Sequence, residues 1–325
     1  MVGPSFAAFR CATCASALAD KRAMNALRWT EIDPQRMPEL WVVVGPTASG
    51  KSELAMRLCE RWNGEIVSAD SVQVYKHFDL GSGKPSAEDK ARAPHHLIDL
   101  NEPTVPLDGG AYATLADAAI ADIRARGKRP VVCGGTFLWV KALVRGLAEG
   151  APANPELREQ HRLLAEREGR AALHEQLRLV DPVAAAQLNP NDFIRVSRAL
   201  EVFAVAGIPQ SEWHKQHAFA TERHPHKLFR VHRRPEELDR RIAQRVDDWL
   251  EQGWVEEVRS LIERGFGDTR AMGSVGYREV KAFLEGEVPE AELAQRIVQK
   301  TRIFVRRQRT WLRDLELTDV ELDAE

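Results

Sequence analysis

The stretch Gly45-Pro46-Thr47-Ala48-Ser49-Gly50-Lys51-Ser52 constrains the fold of this chain more than any other segment. It satisfies G-x-x-x-x-G-K-[ST] at every fixed position. Leu40 to Val44, just before it, is a short apolar, β-branched run that reads as a buried strand. Glu53 to Glu60, just after it, carries Leu54, Ala55 and Leu58 at helical spacing. Strand, loop and helix in that order predict a phosphate-binding loop in a parallel α/β sheet. The glycines let backbone N–H groups turn inward around an anion, and the helix N-terminus adds partial positive charge. Lys51 brings a full charge, and the Ser52 hydroxyl is a candidate Mg²⁺ ligand.

Such a loop says polyphosphate, not which reaction. An ordinary NTPase also has an apolar strand ending in Asp, which holds Mg²⁺ and organises attack by water. The best later strand, Pro130 to Cys133, instead runs into Gly134-Gly135-Thr136 and ends in no carboxylate. That weakens motor, switch and ordinary ATPase readings. A different apolar stretch, Glu65 to Asp70, does end in an acid. The C-terminal strand ends line the ligand crevice of a parallel sheet, so Asp70 faces whatever the loop holds. It could be a metal ligand, a general base or a cap for the next turn.

With 325 residues the chain has room for about two domains. Its 44% hydrophobic and 29% charged residues support a packed core and exclude wholesale disorder. Four cysteines (Cys11, Cys14, Cys59, Cys133) are too few for a disulfide scaffold. Cys11 and Cys14 form a lone C-x-x-C, read as chance because a zinc site needs further ligands. No apolar run approaches the ~18 residues of a membrane span, so a soluble, cytoplasmic protein is expected. The 46 basic and 48 acidic residues give a net charge of −2, which read alone argues against a polybasic nucleic-acid binder. The average hides opposite parts. Residues 314–325 hold six acids and no base, and without them the balance is +4.

Residues 296–313 hold seven Lys/Arg and no acid. On a helix at about 100° per residue, Arg302, Arg306, Arg309 and Arg313 share one side. Ile297, Phe304 and Trp311 fall on the other side, which is expected to pack. The cationic side suits a phosphate backbone.

Several strings together are specific. Gly45 to Ser52, Ser68-Ala-Asp-Ser-Val-Gln-Val-Tyr75, Gly81-Ser-Gly-Lys-Pro85, His95-His-Leu-Ile-Asp99 and Gly134-Gly-Thr136 occur in order. Asn191 to Glu201, Arg241-Ile-Ala-Gln-Arg245, Val275-Gly-Tyr-Arg278 and Arg307 to Arg313 follow. This set, from about residue 40 to 313, resembles the tRNA dimethylallyltransferase (bacterial tRNA isopentenyltransferase, IPP transferase) family. The resemblance implies a P-loop NTPase-like parallel sheet core flanked by helices, with an all-helical insertion domain. It implies transfer of the dimethylallyl group of dimethylallyl diphosphate to N6 of the adenine just 3′ of the tRNA anticodon, position 37, with Mg²⁺ as cofactor and no ATP consumed.

Residue by residue, the resemblance makes Asp70 the general base, Arg241 a cation on the diphosphate and Thr136 a contact in the reaction channel. The loop Gly45–Ser52 holds the diphosphate. The tRNA contacts fall on Asp70, Ser71, Val72, Gln73 and Thr136. They continue on Ile194, Arg195, Val196, Ser197 and Arg198, and on Gly273, Ser274, Val275, Gly276, Tyr277 and Arg278. The last group is Arg306, Arg307, Gln308, Arg309, Thr310, Trp311, Leu312 and Arg313. Read without the family, Arg241 and Arg245 are an i,i+4 pair on a helix from Glu236 to Leu250, the pattern of a solvated face. His95 and His96 read as structural rather than as a metal pair, and Cys133 as a small buried hydrophobe. Leu107-Asp-Gly-Gly-Ala-Tyr112 departs from the family pattern, which puts the start of the next helix in question.

The expected organisation is a poorly ordered extension at 1–38 and a discontinuous catalytic core at 39–151 and 228–313. A helical insertion at 152–227 grips the anticodon stem-loop, and 314–325 form an acidic tail. A monomer is expected. The competing readings are a prenyltransferase acting on free adenine nucleotides, a P-loop small-molecule kinase, and an RNA-binding switch protein.

Overall fold

The computed structural model describes residues 26–147, 151–217, 222–313 and 315–322. The chain divides into two compact units, residues 1–144 with 224–325, and residues 145–223.

Among its described residues the first unit has seven strands: β1 (Leu27–Arg28), β2 (Leu40–Val44), β3 (Gly64–Ser68), β4 (His95–His96), β5 (Arg129–Gly134), β6 (His226–Val231) and β7 (Thr318–Glu321). They form one sheet in the order β1-β7-β6-β2-β5-β3-β4, with every pairing parallel. Central β2 sits between β6 and β5, with Val42 level with Leu228 and Val132. All five β2 residues are buried, as a strand covered on both faces requires. Its side chains alternate between two cores. Leu40, Val42 and Val44 join one with Val67, Val132, Trp254 and Ile297. Trp41 and Val43 join the other with Leu54, Leu58 and Phe229.

The helices of this unit are α1 (Lys51–Trp62), α2 (Ala87–Arg92), α3 (Gly109–Ala125) and α4 (Phe137–Arg145, crossing the boundary). Those of the second unit are α5 (Pro155–Glu168), α6 (Arg170–Val180), α7 (Pro182–Gln187), α8 (Phe193–Ala206) and α9 (Gln210–His217). The chain returns to the first unit with α10 (Pro235–Glu251), α11 (Trp254–Glu263), α12 (Tyr277–Leu284) and α13 (Glu290–Trp311). The departure at Leu107–Tyr112 does not disturb α3. Asp108 caps it by accepting the Gly110 and Ala111 N–H groups at 2.8 and 2.9 Å.

The second unit is all helical within its described residues. Asn154, Asp181 and Asp192 cap α5, α7 and α8, with Pro at the first helical position of α5 and α7. Leu173, Leu177, Val196, Ala199 and Leu200 form its core. Glu201 is fully buried there and accepts from Arg158 at 2.9 Å, Arg198 at 2.6 Å and the Asn154 N–H at 2.6 Å. Burial alone would raise the Glu201 pKa, but these donors hold it below the usual range.

Two expectations change at the chain ends. Within 1–38, read as poorly ordered, residues 26–38 are folded, with β1 followed by short 3₁₀ turns at Trp29–Glu31 and Pro34–Arg36. Within 314–325, read as an acidic tail, β7 joins β1 to β6. The acid content concealed an alternation: Val320 is fully buried, and the Asp319 carboxylate takes two bonds from Arg230, at 2.6 and 2.7 Å. Residues 1–25, with the Cys11–Cys14 pair, and Asp314 and residues 323–325 lie outside the described residues.

Candidate active site

β2 ends at Val44 and the chain bends at once into the Gly45–Ser52 loop. Ser49 N–H closes a turn onto the Pro46 carbonyl at 3.2 Å. Ala48 and Gly50 have φ of 64° and 93°. Left-handed residues on either side of an ordinary one, Ser49, turn backbone N–H groups toward one concave side, an anion-binding arrangement. The loop is tied on its flanks. Thr47 N–H donates to Gln308 on α13 at 2.9 Å, and the Ala48 and Ser49 carbonyls accept from Arg241 at 3.0 Å and Arg233 at 3.2 Å.

The loop forms one side of a cavity of about 470 Å³ at the C-terminal ends of β2, β3 and β5. Thr47, Lys51 and Ser52 line it, with Asp70–Gln73 after β3 and Gly134–Thr136 at the end of β5. Burial lowers the Lys51 pKa, and the Asp70 carboxylate pulls it back up. Asp70 Oδ1 accepts the Val72 and Gln73 N–H groups at 2.9 and 3.4 Å. The capping role is therefore present, yet it uses one oxygen, and Oδ2 makes no hydrogen bond among the described residues. Thr136 Oγ1 accepts from Ser71 N–H at 3.0 Å and donates to Ser71 Oγ at 3.2 Å. Gln73 Nε2 donates to the Gly83 carbonyl at 2.8 Å, fixing the Asp70–Gln73 turn against the wall. The Cys133 thiol is buried and its pKa pushed up to about 11 by desolvation, so it is no nucleophile.

Among the α10 arginines, Arg241 is exposed and does not line the cavity; Arg245 does. The helical spacing explains this. Ile242, Arg245, Val246 and Trp249 make the cavity-facing stripe, and Arg241 lies at its edge, about 90° from the centre. Desolvation pushes the Arg245 pKa down to about 10, against the attraction of Asp70, so it stays charged at neutral pH. Its guanidinium lies 4.0 Å from the Trp249 ring centre. Residues 245 and 249 are an Arg–Trp pair at i,i+4, a signal in the sequence that marks Arg245 as packed rather than solvated.

Among the described residues no cluster of three or more His, Cys, Asp or Glu could hold a metal alone. The donor set fits Mg²⁺, which keeps several waters and binds through one or two protein oxygens plus substrate phosphates. Ser52 and Asp70 line the same cavity. His96 and His95 do not form a metal pair. His96 bonds Glu65 at 2.6 Å, and His95 bonds the Ala93 carbonyl at 2.7 Å.

The expected tRNA-contact residues divide. Gly273, Ser274, Val275 and Arg278 line the cavity, whereas Gly276 and Tyr277 are buried. Tyr277 donates to Glu257 at 2.6 Å, and a Cβ on Gly276 would overlap the Trp254 ring. In the helical unit Ile194 is 74% exposed and Arg195 is exposed. Val196 and Ser197 are buried, and Arg198 is committed to Glu201 and the Ala151 carbonyl.

On α13 and just past its end, Arg306, Arg307, Arg309, Thr310, Trp311 and Arg313 are exposed, whereas Gln308 and Leu312 are buried. The packing face differs from the expected one. Leu293, Ile297, Thr301, Val305 and Gln308 make the buried stripe, while Phe304 and Trp311 are 38% and 51% exposed. The aromatics sit at the edge of the stripe, and Phe304 with Arg307 lines the cavity. Arg302 pairs with Asp239 at 3.3 Å, but Arg306, Arg307 and Arg309 have no carboxylate partner among the described residues. The cationic side is thus not neutralised by the core.

The parallel sheet and the loop between β2 and α1 define a P-loop-type α/β protein. The chain belongs to the IPP transferase family, whose model matches residues 73–315; the isopentenyl transferase model matches residues 38–99. A tRNA dimethylallyltransferase of Sorangium cellulosum is 61% identical over 294 residues, 90% of this chain and 94% of that protein. One of Myxococcus xanthus is 46% identical, covering 85% of this chain and 90% of its own. Among solved structures, the full-length tRNA isopentenylpyrophosphate transferase of Bacillus halodurans matches with a TM-score of 0.64 at 33% identity, over 87% of this chain and 89% of that one. A eukaryotic dimethylallyltransferase acting on tRNA matches with a TM-score of 0.71 at 26% identity, over 86% and 73%.

Proposed function

We propose that this chain transfers the dimethylallyl group of dimethylallyl diphosphate to N6 of adenine 37 of tRNA, releasing diphosphate. The observation that carries the mechanism is that Lys51, Asp70, Thr136 and Arg245 line one cavity.

The donor's diphosphate lies in the Gly45–Ser52 loop. Backbone N–H groups, Lys51 and Arg245 stabilise the charge that grows on the leaving oxygen as the C–O bond breaks. Adenine N6 is a weak nucleophile, because its lone pair is delocalised into the ring. It attacks the C1 carbon of the prenyl group, and the unbonded Oδ2 of Asp70 accepts its proton. Thr136 holds the Asp70–Gln73 turn through Ser71. Ile242, Val246, Trp249 and Ile297 provide an apolar wall for the prenyl tail. Ser52 would hold Mg²⁺, with Asp70 in reach of the same cavity, and the ion would supply further charge neutralisation on the diphosphate.

The acceptor is the anticodon stem-loop. The unneutralised Arg306, Arg307 and Arg309 and the exposed Ile194 and Arg195 support this over a free nucleotide, which needs no such surface. We place the enzyme in the cytoplasm as a monomer. Among the described residues no helix is long and apolar enough to cross a membrane. The test is to incubate the protein with labelled dimethylallyl diphosphate, Mg²⁺ and unmodified tRNA; label must appear in the tRNA.

A further inference from the structure

The phosphate loop is held from outside the cavity. Arg233 Nε donates to the Ser49 carbonyl at 3.2 Å, and Arg241 Nε donates to the Ala48 carbonyl at 3.0 Å. Neither arginine lines the cavity. Arg233 lies between β6 and α10, its side chain only 16% exposed, and its Nη1 is tied to Glu237 at 2.5 Å.

In a trans peptide the carbonyl and the following N–H point in opposite directions. No described peptide bond is cis. Drawing the Ser49 carbonyl outward therefore turns the Gly50 N–H inward. That N–H makes no hydrogen bond among the described residues. Gly50 has φ of 93°, a conformation that no side chain favours. Arg241 fixes the preceding plane, Ala48–Ser49, whose N–H closes the turn onto Pro46. A loop whose N–H groups are fixed before the anion arrives does not lose binding energy to ordering itself.

We propose that Arg233, supported by Arg241, is a positioning residue for the donor diphosphate. It fixes the Ser49–Gly50 peptide plane so that the Gly50 N–H meets a phosphate oxygen, and it does not itself touch the ligand. Glu237 neutralises its charge, so its contribution is the hydrogen bond to the loop. The inference rests on the cavity being the diphosphate site proposed above.

The test compares Arg233→Met, which keeps the apolar stem, with Arg233→Lys, which keeps a donor. Loss of a charged hydrogen bond that organises the site should raise KM for dimethylallyl diphosphate about tenfold, with kcat changed by less than about threefold. The dissociation constant of inorganic diphosphate should rise in parallel, KM for tRNA should stay put, and Arg233→Lys should recover most of the loss. Arg241→Met, on an exposed site, should give a smaller rise of about threefold and keeps the test open should Arg233→Met not fold. A lowered melting temperature with unchanged KM and diphosphate affinity in these variants would overturn the proposal, leaving the arginines structural only. A wild-type protein that binds no diphosphate and transfers no prenyl group would overturn the functional reading as well, and the two failures are told apart by the wild-type control.

Discussion

The side-chain oxygen of Gln308 accepts the backbone N–H of Thr47 at 2.9 Å, joining residues 261 positions apart. Its amide nitrogen donates to the Gly135 carbonyl at 3.2 Å. One buried amide on α13 thus ties the loop after β2 to the loop after β5, the two backbone edges of the cavity. Gln308→Leu leaves both backbone groups without that partner at a cost of about 1–3 kcal/mol. Prenyl transfer should fall about tenfold or more, carried mainly by the donor, with tRNA affinity unchanged. Steady-state kinetics with each substrate varied in turn checks this.

Asp70 carries two jobs on two oxygens. Asp70→Asn keeps a capping oxygen for Val72 N–H but has no carboxylate to take the proton. Transfer should drop by about 10²–10⁴ while tRNA binding, measured by filter retention, stays within about twofold. Transfer that survives in Asp70→Asn would remove Asp70 as the base.

Arg306 and Arg309 face solvent without carboxylate partners among the described residues, and Arg313 is bonded to Thr310 at 3.0 Å. Arg309→Glu with Arg313→Glu should weaken tRNA binding and flatten the slope of log affinity against log salt by about two. A titration series across salt concentrations reads both. Unchanged affinity would take this side of α13 out of the interface.

Glu65, on β3, is 1% exposed and bonds Arg126 and Lys128 at 2.7 Å and His96 at 2.6 Å. The Arg126 hydrogen bonds hold its carboxyl far below the ordinary range, outweighing burial. A depressed carboxylate contributes stability that is fully present above its unfolded pKa, about 4.3, and is lost as pH falls through the folded value. Glu65→Gln should therefore lower the denaturation midpoint at pH 7, and the gap to wild type should narrow progressively below about pH 4. Urea unfolding at several pH values measures it.

Gly276 has no room for a side chain, because a Cβ would overlap the fully buried Trp254 ring and its φ is 93°. Gly276→Ala must displace Trp254, a member of the cavity wall and core, at about 1–3 kcal/mol. A lowered melting temperature together with a raised donor KM is expected.

Local signals carried the sheet and the loop. Leu40–Val44 followed by the glycine-rich loop defines β2 and α1 with few alternatives, because the motif has meaning only between a strand and a helix. What was not legible depended on partners distant in sequence. Thr318–Glu321 looks like acidic tail until Arg230 and the β6 edge are beside it. Gln308 looks like one more polar residue on a basic helix until Thr47 and Gly135 meet it. Arg241 and Arg245 are equivalent by periodicity alone, and only the packing of Ile242 and Val246 decides which faces the cavity. Helical projection puts Phe304 and Trp311 opposite the arginines, on the side expected to pack, yet Val305 and Gln308 between them are the buried residues.

The most direct measurement offers labelled dimethylallyl diphosphate and Mg²⁺ to the protein with unmodified tRNA and an equal amount of AMP, ADP and ATP, then maps the label by nuclease digestion and mass spectrometry. Label on N6 of adenine 37 in tRNA, with none on free nucleotide, is the predicted result. Label on free nucleotide, or ATP turnover with no labelled product, would contradict the account.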